Sequence, residues 1–429
     1  MNLVNLTIPY GRGSVQLDVD KQAESVFICK PRELVAFADA EGALGDSLNS
    51  PIASSPLKDL LSTCESVLLV LSDPTRALAY PLWIRSLLDY VAEHARPSAK
   101  IRYIVATGSH RGFSDSEMLE YLGMELPVIM HNSRDDSSLV FLGRTGRGTP
   151  IYLNQEISNA DLIITTSRIN FHYFSGFTGG IKAIFPGLAG ETSIIHNHGL
   201  SLDRELGTFH KACRPGNFEG NPVYEDFLEV VSKIPRVFSI NVILNGDEKP
   251  VAFFCGDVIE AHRQACEFYS QHFSVYLRER VSRAILSAGG FPKDISLYQA
   301  HKALKSIEQV LSPNAKVMFF AECAEGLGHA KFPEWLGVTR AKVVERLKKA
   351  YEPLSHLMLS LLTITENYEV YLFSSLAESD AKSLGFIPVK LVDAQKLAEE
   401  FLRECCAERP LLVQLYGSEI QLNLLGEKN

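Results

Sequence analysis

The richest run of chemically able residues is His172-Tyr173-Phe174-Ser175-Gly176-Phe177-Thr178-Gly179-Gly180-Ile181-Lys182, continuing to Gly187. Three glycines ahead of a lysine let backbone N–H groups approach an anion, with the positive end of a following helix nearby. The spacing is neither the Walker pattern Gly-x-x-x-x-Gly-Lys-Ser/Thr nor the dinucleotide fingerprint Gly-x-Gly-x-x-Gly. Alone, Gly-Gly-x-Lys is more often a tight turn with a surface lysine. Downstream lies His196-Asn197-His198. If extended, this segment puts both imidazoles on one side, where either could bind nickel, zinc, copper or iron. No cluster of Cys, Asp or Glu completes a protein-only site there, so a metal would take most of its ligands from a cofactor.

Three weaker groups surround this block. Asp73-Pro74-Thr75-Arg76 and Thr107-Gly108-Ser109-His110 each follow an apolar run. In Tyr298-Gln299-Ala300-His301-Lys302, Gln299 and Lys302 are three apart and share a helix face. An amide and an ammonium near a helix amino end suit a carboxylate, although an ordinary polar face has the same composition. His131, His210, His301 and His329 have no partner pattern and read as structural or surface residues.

The elements that must position these groups alternate as strands and helices. Strands are expected at 66–71, 101–106 and 161–166, each running into one of the polar groups. Asp73 suits a helix cap with Pro74 in the first turn, and Leu78, Leu82, Leu87, Leu88 and Val91 recur at helical spacing. Ser114 and Glu117 form a capping-box pair. A long helix is expected between Cys255 and Arg283. Beyond it come strands at 282–287, 316–321 and 369–373 and helices at 298–310, 339–350 and 394–406. The fold class is therefore α/β, with two α/β domains at 1–275 and 276–429 and a cofactor and substrate cleft between them. Open α/β sheets place ligands at the carboxyl ends of their strands, where Asp73, Arg76, His110 and His172 would converge.

In order and spacing from Asp73 to Lys302, these motifs resemble the nickel-pincer-nucleotide lactate racemase family of 2-hydroxyacid racemases and epimerases. The resemblance implies a pyridinium mononucleotide gripping nickel through two sulfurs and a ring carbon, covalently attached at Lys182, with His198 as the protein's nickel ligand. It implies His110 and His172 as the acid/base pair, and Arg76, Gln299 and Lys302 as substrate contacts. Asp73 and Thr75 fall on the cofactor side, and Ser109, Gly176, Gly179 and Gly180 are candidate phosphate cradles. The implied reaction inverts the alpha carbon of lactate or a similar short 2-hydroxy acid by proton-coupled hydride transfer. Malate, an aromatic 2-hydroxy acid and a sugar acid are further candidates. Trp335 and Tyr351 are candidates for an aromatic wall. Cofactor-synthesis and insertion enzymes are the implied partners. Competing functions are a nicotinamide-dependent 2-hydroxyacid oxidoreductase and a non-catalytic cofactor or small-molecule binding protein.

Composition bounds these readings. The chain of 429 residues is 46% hydrophobic and 22% charged, as in ordinary globular proteins. A net charge of -9 with interspersed signs argues against nucleic acid as a partner. The amino terminus lacks a basic segment before an apolar run, no apolar run is long enough to span a membrane, and eight scattered cysteines lack a C-x-x-C pair. A cytoplasmic protein with reduced thiols is the expectation.

Overall fold

The computed structural model describes residues 3–20, 26–406 and 409–426. Two six-stranded sheets dominate it. The first runs in the order Pro250–Asp257, Val237–Leu244, Leu162–Arg168, Ser66–Ser72, Lys100–Ala106 and Val128–Met130. All its pairings are parallel except Val237–Leu244 with Pro250–Asp257. The second, wholly parallel, runs Ile387–Pro388, Glu369–Phe373, Leu311–Phe320, Val281–Ser287, Leu411–Gln414 and Val26–Cys29.

Both sheets are covered on two faces, which explains why their central strands are continuously apolar. In Ser66–Ser72, Val67, Leu69 and Leu71 join one core cluster while Leu68 and Val70 join another. The period-two alternation of a strand sends neighbours to opposite faces. Ile84–His94 packs Ile84, Leu87 and Val91 on the first of these faces, and Pro222–Ser232 packs Val223, Phe227 and Val230 on the second.

The amino-terminal residues sit with the far end of the chain. The hairpin Leu3–Tyr10/Gly13–Asp20 buries Leu6, Ile8, Leu17 and Val19 against Ile285, Met318 and Phe320 of the second sheet. Val26–Cys29 pairs in parallel with Leu411–Gln414. A division at 275/276 therefore separates one edge strand from the sheet it completes.

Two expected helices are reshaped. The span from Cys255 to Arg283 holds the end of one strand, a helix at Glu260–Phe273, and strands at Ser274–Leu277 and Val281–Ser287. Cys255 is held in the sheet by pairing with Ile240. The helix expected from Leu78 begins at Ile84, after left-handed turns at Ala77 and Ala79 and a short turn containing Pro81. The Ser114–Glu117 capping box forms as expected. Among the described residues, no helix is long and apolar enough to cross a membrane, and the eight cysteines are free.

Candidate active site

Each sheet has a switch point, where successive connections leave a central strand in opposite directions. In the first it lies between Ser66–Ser72 and Leu162–Arg168, and in the second beside Val281–Ser287. Crevices at carboxyl strand ends form there. The two crevices open into one cavity, lined from the first sheet by Thr75, Arg76, Ser109, His110, His172, Lys182 and His198. Tyr298, Gln299, His301, Lys302 and His356 line it from the second.

Asp73 anchors the first side. Its Oδ1 accepts from the Thr75 backbone N–H at 2.9 Å and from the Thr75 hydroxyl, capping the short turn Pro74–Arg76. Its Oδ2 accepts from His110 Nδ1 at 3.2 Å, with Arg76 Nε 3.7 Å away. Burial alone would raise the Asp73 pKa, but His110, Arg76 and Thr75 together hold it well below the usual carboxylate range. Because a carboxylate only accepts, His110 carries its proton on Nδ1 and leaves Nε2 bare. Enclosure, with Arg76 and Lys302, lowers the His110 pKa more than Asp73 raises it.

His172 has the opposite arrangement. Its Nδ1 accepts from the Ser175 backbone N–H at 3.3 Å, placing the neutral ring's proton on Nε2. Enclosure, then Lys182, Lys302 and Arg76, push its pKa well below the ordinary value. Lys182 donates to Ser175 Oγ at 2.8 Å, and enclosure with Arg76 and Lys302 favours its neutral amine. Lys302, bonded to Gln299 Oε1, is lowered to about 7 by enclosure and by Arg76, which outweigh Asp73. The cavity thus concentrates positive groups that an anion would relieve.

The segment 196–198 is helical, within Glu191–Gly199, so the two histidines diverge. His196 is exposed and bonds Thr149 Oγ1 at 2.9 Å, whereas His198 lines the cavity. Asn197 Oδ1 accepts from His198 Nδ1 at 3.3 Å, leaving Nε2 as a donor atom for a metal. The expected helix after the glycines is only the single turn Gly180–Ala183.

The glycines divide by position. Gly179 lines the cavity; Gly176 and Gly180 stand outside it. Gly176, at φ +83°, leaves a notional Cβ 2.5 Å from the Asn217 carbonyl oxygen. The Gly180 N–H is already donated to Asn241 Oδ1 at 2.9 Å, and its α-carbon abuts His262. Both therefore serve close backbone packing.

Several lining residues escape sequence reasoning. His301, expected as structural or surface, faces the cavity beside Lys302, and its place in the motif was the available signal. His356 has no local signal; Tyr351, 2.5 Å from its Nδ1, holds it. Trp335 is buried under Arg346, and neither it nor Tyr351 lines the cavity; Phe171, Tyr173, Phe174 and Tyr298 supply the aromatic surface. Arg168, Lys293 and Glu419, also lining, form an ion cluster with Glu248 across the two halves.

Fold and site define a two-sheet α/β protein with an anion-attracting cleft holding paired histidines and a buried lysine. Residues 10–208 match the family model of the lactate racemase N-terminal domain, and residues 279–353 that of the C-terminal domain. The chain belongs to the lactate racemase family. A lactate racemase of Thermoanaerobacterium thermosaccharolyticum is 29% identical over 338 residues, 78% of each chain. One from Lactiplantibacillus plantarum is 29% identical over 335 residues, 77% of each. The solved lactate racemase apoprotein from T. thermosaccharolyticum aligns at TM-score 0.84 and 26% identity, covering 98% of this chain and 100% of that one. A protein from Thermotoga maritima shares the fold at TM-score 0.71 and 18% identity, covering 91% and 100%.

Proposed function

We propose that this chain is a racemase for a small 2-hydroxy acid, lactate or a close relative, working with a nickel-pincer nucleotide held at Lys182 and His198. One observation carries the reading: both histidines, the lysine and the cations Arg76 and Lys302 line a single cavity fed by both sheets. The relatives named above are lactate racemases, which supports the racemase class.

The residues fit that cofactor. A neutral Lys182 amine is a nucleophile for covalent attachment, and its contact with Ser175 fixes its position. His198 offers Nε2 as one metal ligand. In this reading the remaining ligands come from the cofactor; among the described residues no group of three or more His, Cys, Asp or Glu is placed to hold a metal ion. When bound, the nucleotide supplies a reversible hydride acceptor, which avoids a carbanion beside a carboxylate.

The chain's own groups bind substrate and move protons. Arg76, Gln299 and Lys302 hold the carboxylate, with Arg able to make two parallel hydrogen bonds. His110 Nε2 takes the hydroxyl proton of one enantiomer, and the Asp73 carboxylate stabilises the resulting imidazolium. His172 serves the other enantiomer once its resident proton shifts to Nδ1, which requires the 3.3 Å contact with the Ser175 N–H to open so that Nε2 can accept. Enclosure and the positive groups around it hold the His172 pKa down; acylation of Lys182 takes away any ammonium there, and a bound carboxylate offsets Arg76 and Lys302.

The test compares protein made with and without nickel and the cofactor-synthesis enzymes. The loaded protein should interconvert the lactate enantiomers, retain deuterium at the alpha carbon, and carry a mass adduct that Lys182→Ala abolishes. An active preparation with unmodified Lys182, or loss of the label to solvent, would contradict the proposal.

A further inference from the structure

The carboxylate and hydroxyl of a 2-hydroxy acid are accounted for by Arg76, Gln299, Lys302 and the two catalytic histidines. With those groups so engaged, its third substituent is left to the remaining wall, which on the second-sheet side includes His301 and His356. His301 precedes Lys302 on the helix Leu297–Ile307 and lies edge-on to Tyr173, with ring centroids 5.2 Å apart. His356 follows, 6.2 Å from the Tyr173 ring.

His301 carries the more specific information. It is 2% exposed. Its Nδ1 lies 2.8 Å from the Tyr298 carbonyl oxygen, which can only accept, so Nδ1 bears the proton. Nε2 is then a lone-pair acceptor, and it is buried with no hydrogen-bond partner. Leaving a buried acceptor unpaired is costly, and such groups in native proteins ask for an explanation. Lactate's methyl group would leave it unpaired. Burial and the nearby Lys302 keep the ring neutral, so a carboxylate would face a lone pair, whereas an O–H would complete a hydrogen bond.

We infer that His301 reads the substituent on C2 and that the substrates are 2-hydroxy acids with a further hydroxyl on the chain, a specificity that rests on the 2-hydroxyacid racemase reading. Polyhydroxy acids such as glycerate belong to this class; simple alkyl and dicarboxylic 2-hydroxy acids do not.

The experiment measures kcat/KM of the cofactor-loaded protein on enantiopure glycerate, 2,3,4-trihydroxybutanoate, lactate, 2-hydroxybutyrate and malate. At least one hydroxylated acid should exceed lactate by about tenfold or more, because a site built around a hydroxyl discriminates strongly against its absence. His301→Leu should lower that ratio about tenfold, and His301→Gln, which keeps an acceptor, should restore part of it. Should the leucine variant fail to fold, the wild-type ranking and the glutamine variant still decide. Preference for lactate, 2-hydroxybutyrate or malate, or a ratio indifferent to His301, overturns the assignment. Calorimetric binding of the same acids separates the two levels. Racemised lactate without a hydroxyl preference defeats this inference alone. Tighter, His301-dependent binding of a hydroxylated acid, with no acid racemised, defeats the racemase reading and leaves the pocket assignment standing.

Discussion

The two histidines differ in tautomer because their Nδ1 atoms face different partners. Asp73 fixes His110 with Nε2 bare, and the Ser175 N–H fixes His172 with Nε2 protonated. Asp73→Asn should remove the anion favouring the His110 imidazolium, lowering kcat by about 10²-fold or more, in the range expected for general acid–base groups. The limb of the pH profile belonging to His110 should move to lower pH; a displacement upward would count against this role. Lys302 permits a separate measurement. Folded, it loses its proton near about 7; unfolded, it keeps it to about 10.5. Between those values the unfolded chain binds more protons, so this lysine makes stability of the ligand-free protein rise with pH across that window. Unfolding free energies at pH 6.5, 8 and 9.5 should show the rise, and Lys302→Met should flatten it. A carboxylate bound at pH 8 should bring a proton with it, seen as a buffer-dependent binding enthalpy.

Between residue and domain, short turns carry the site. Ser66–Ser72 delivers Asp73 and Arg76, Lys100–Ala106 delivers Ser109 and His110, and Leu162–Arg168 leads to His172. The tight pair Phe171–His172/Gly176–Phe177 is small, yet it sets both His172 and the Ser175 hydroxyl that holds Lys182. Gly176→Ala combines a left-handed φ with a carbonyl oxygen in contact. It should destabilise the fold by about 1–3 kcal/mol in urea titrations and slow formation of the Lys182 adduct. Normal stability with normal adduct formation would show the loop to be more forgiving than its packing suggests.

Across the whole molecule, the cleft exists because two sheets face each other with their carboxyl strand ends. Arg168 and Glu419 are 3% and 6% exposed as side chains and meet at 2.5 Å, while Lys293 reaches Glu248 at 2.8 Å from the other half. Breaking a buried pair on one side leaves an uncompensated charge, typically costing about 3–5 kcal/mol. Glu419→Ala should cost that order in denaturant unfolding, and Arg168→Met with Glu419→Leu should recover most of it. If the single and double variants are equally stable, the ions do not clasp the halves.

How much was legible beforehand follows from the range of the forces involved. Strand cores such as Val67–Leu71, the capping box at Ser114 and the Gln299–Lys302 face rest on local spacing, and local spacing is written in the chain. Asp73, Arg76, His110, His172, Lys182, His198, Gln299 and Lys302 could be named because each lies in a short motif with its own chemistry. What spacing could not supply was orientation. Extended geometry would align His196 with His198, but a helix sends one to Thr149 and the other to the cavity. The structure of Val26–Cys29 as an edge of the second sheet, nearly four hundred residues from its partner strand, is likewise a non-local pairing. His301 and His356 became site residues only when two sheets closed around them, since burial and an unpaired nitrogen are properties of the packed molecule. The sequence by itself determined which chemically able residues the chain carries and the short motifs that hold them. Tertiary structure alone decided which groups share a cavity, which nitrogen of each histidine is free, and what kind of side chain the remaining wall is built to receive.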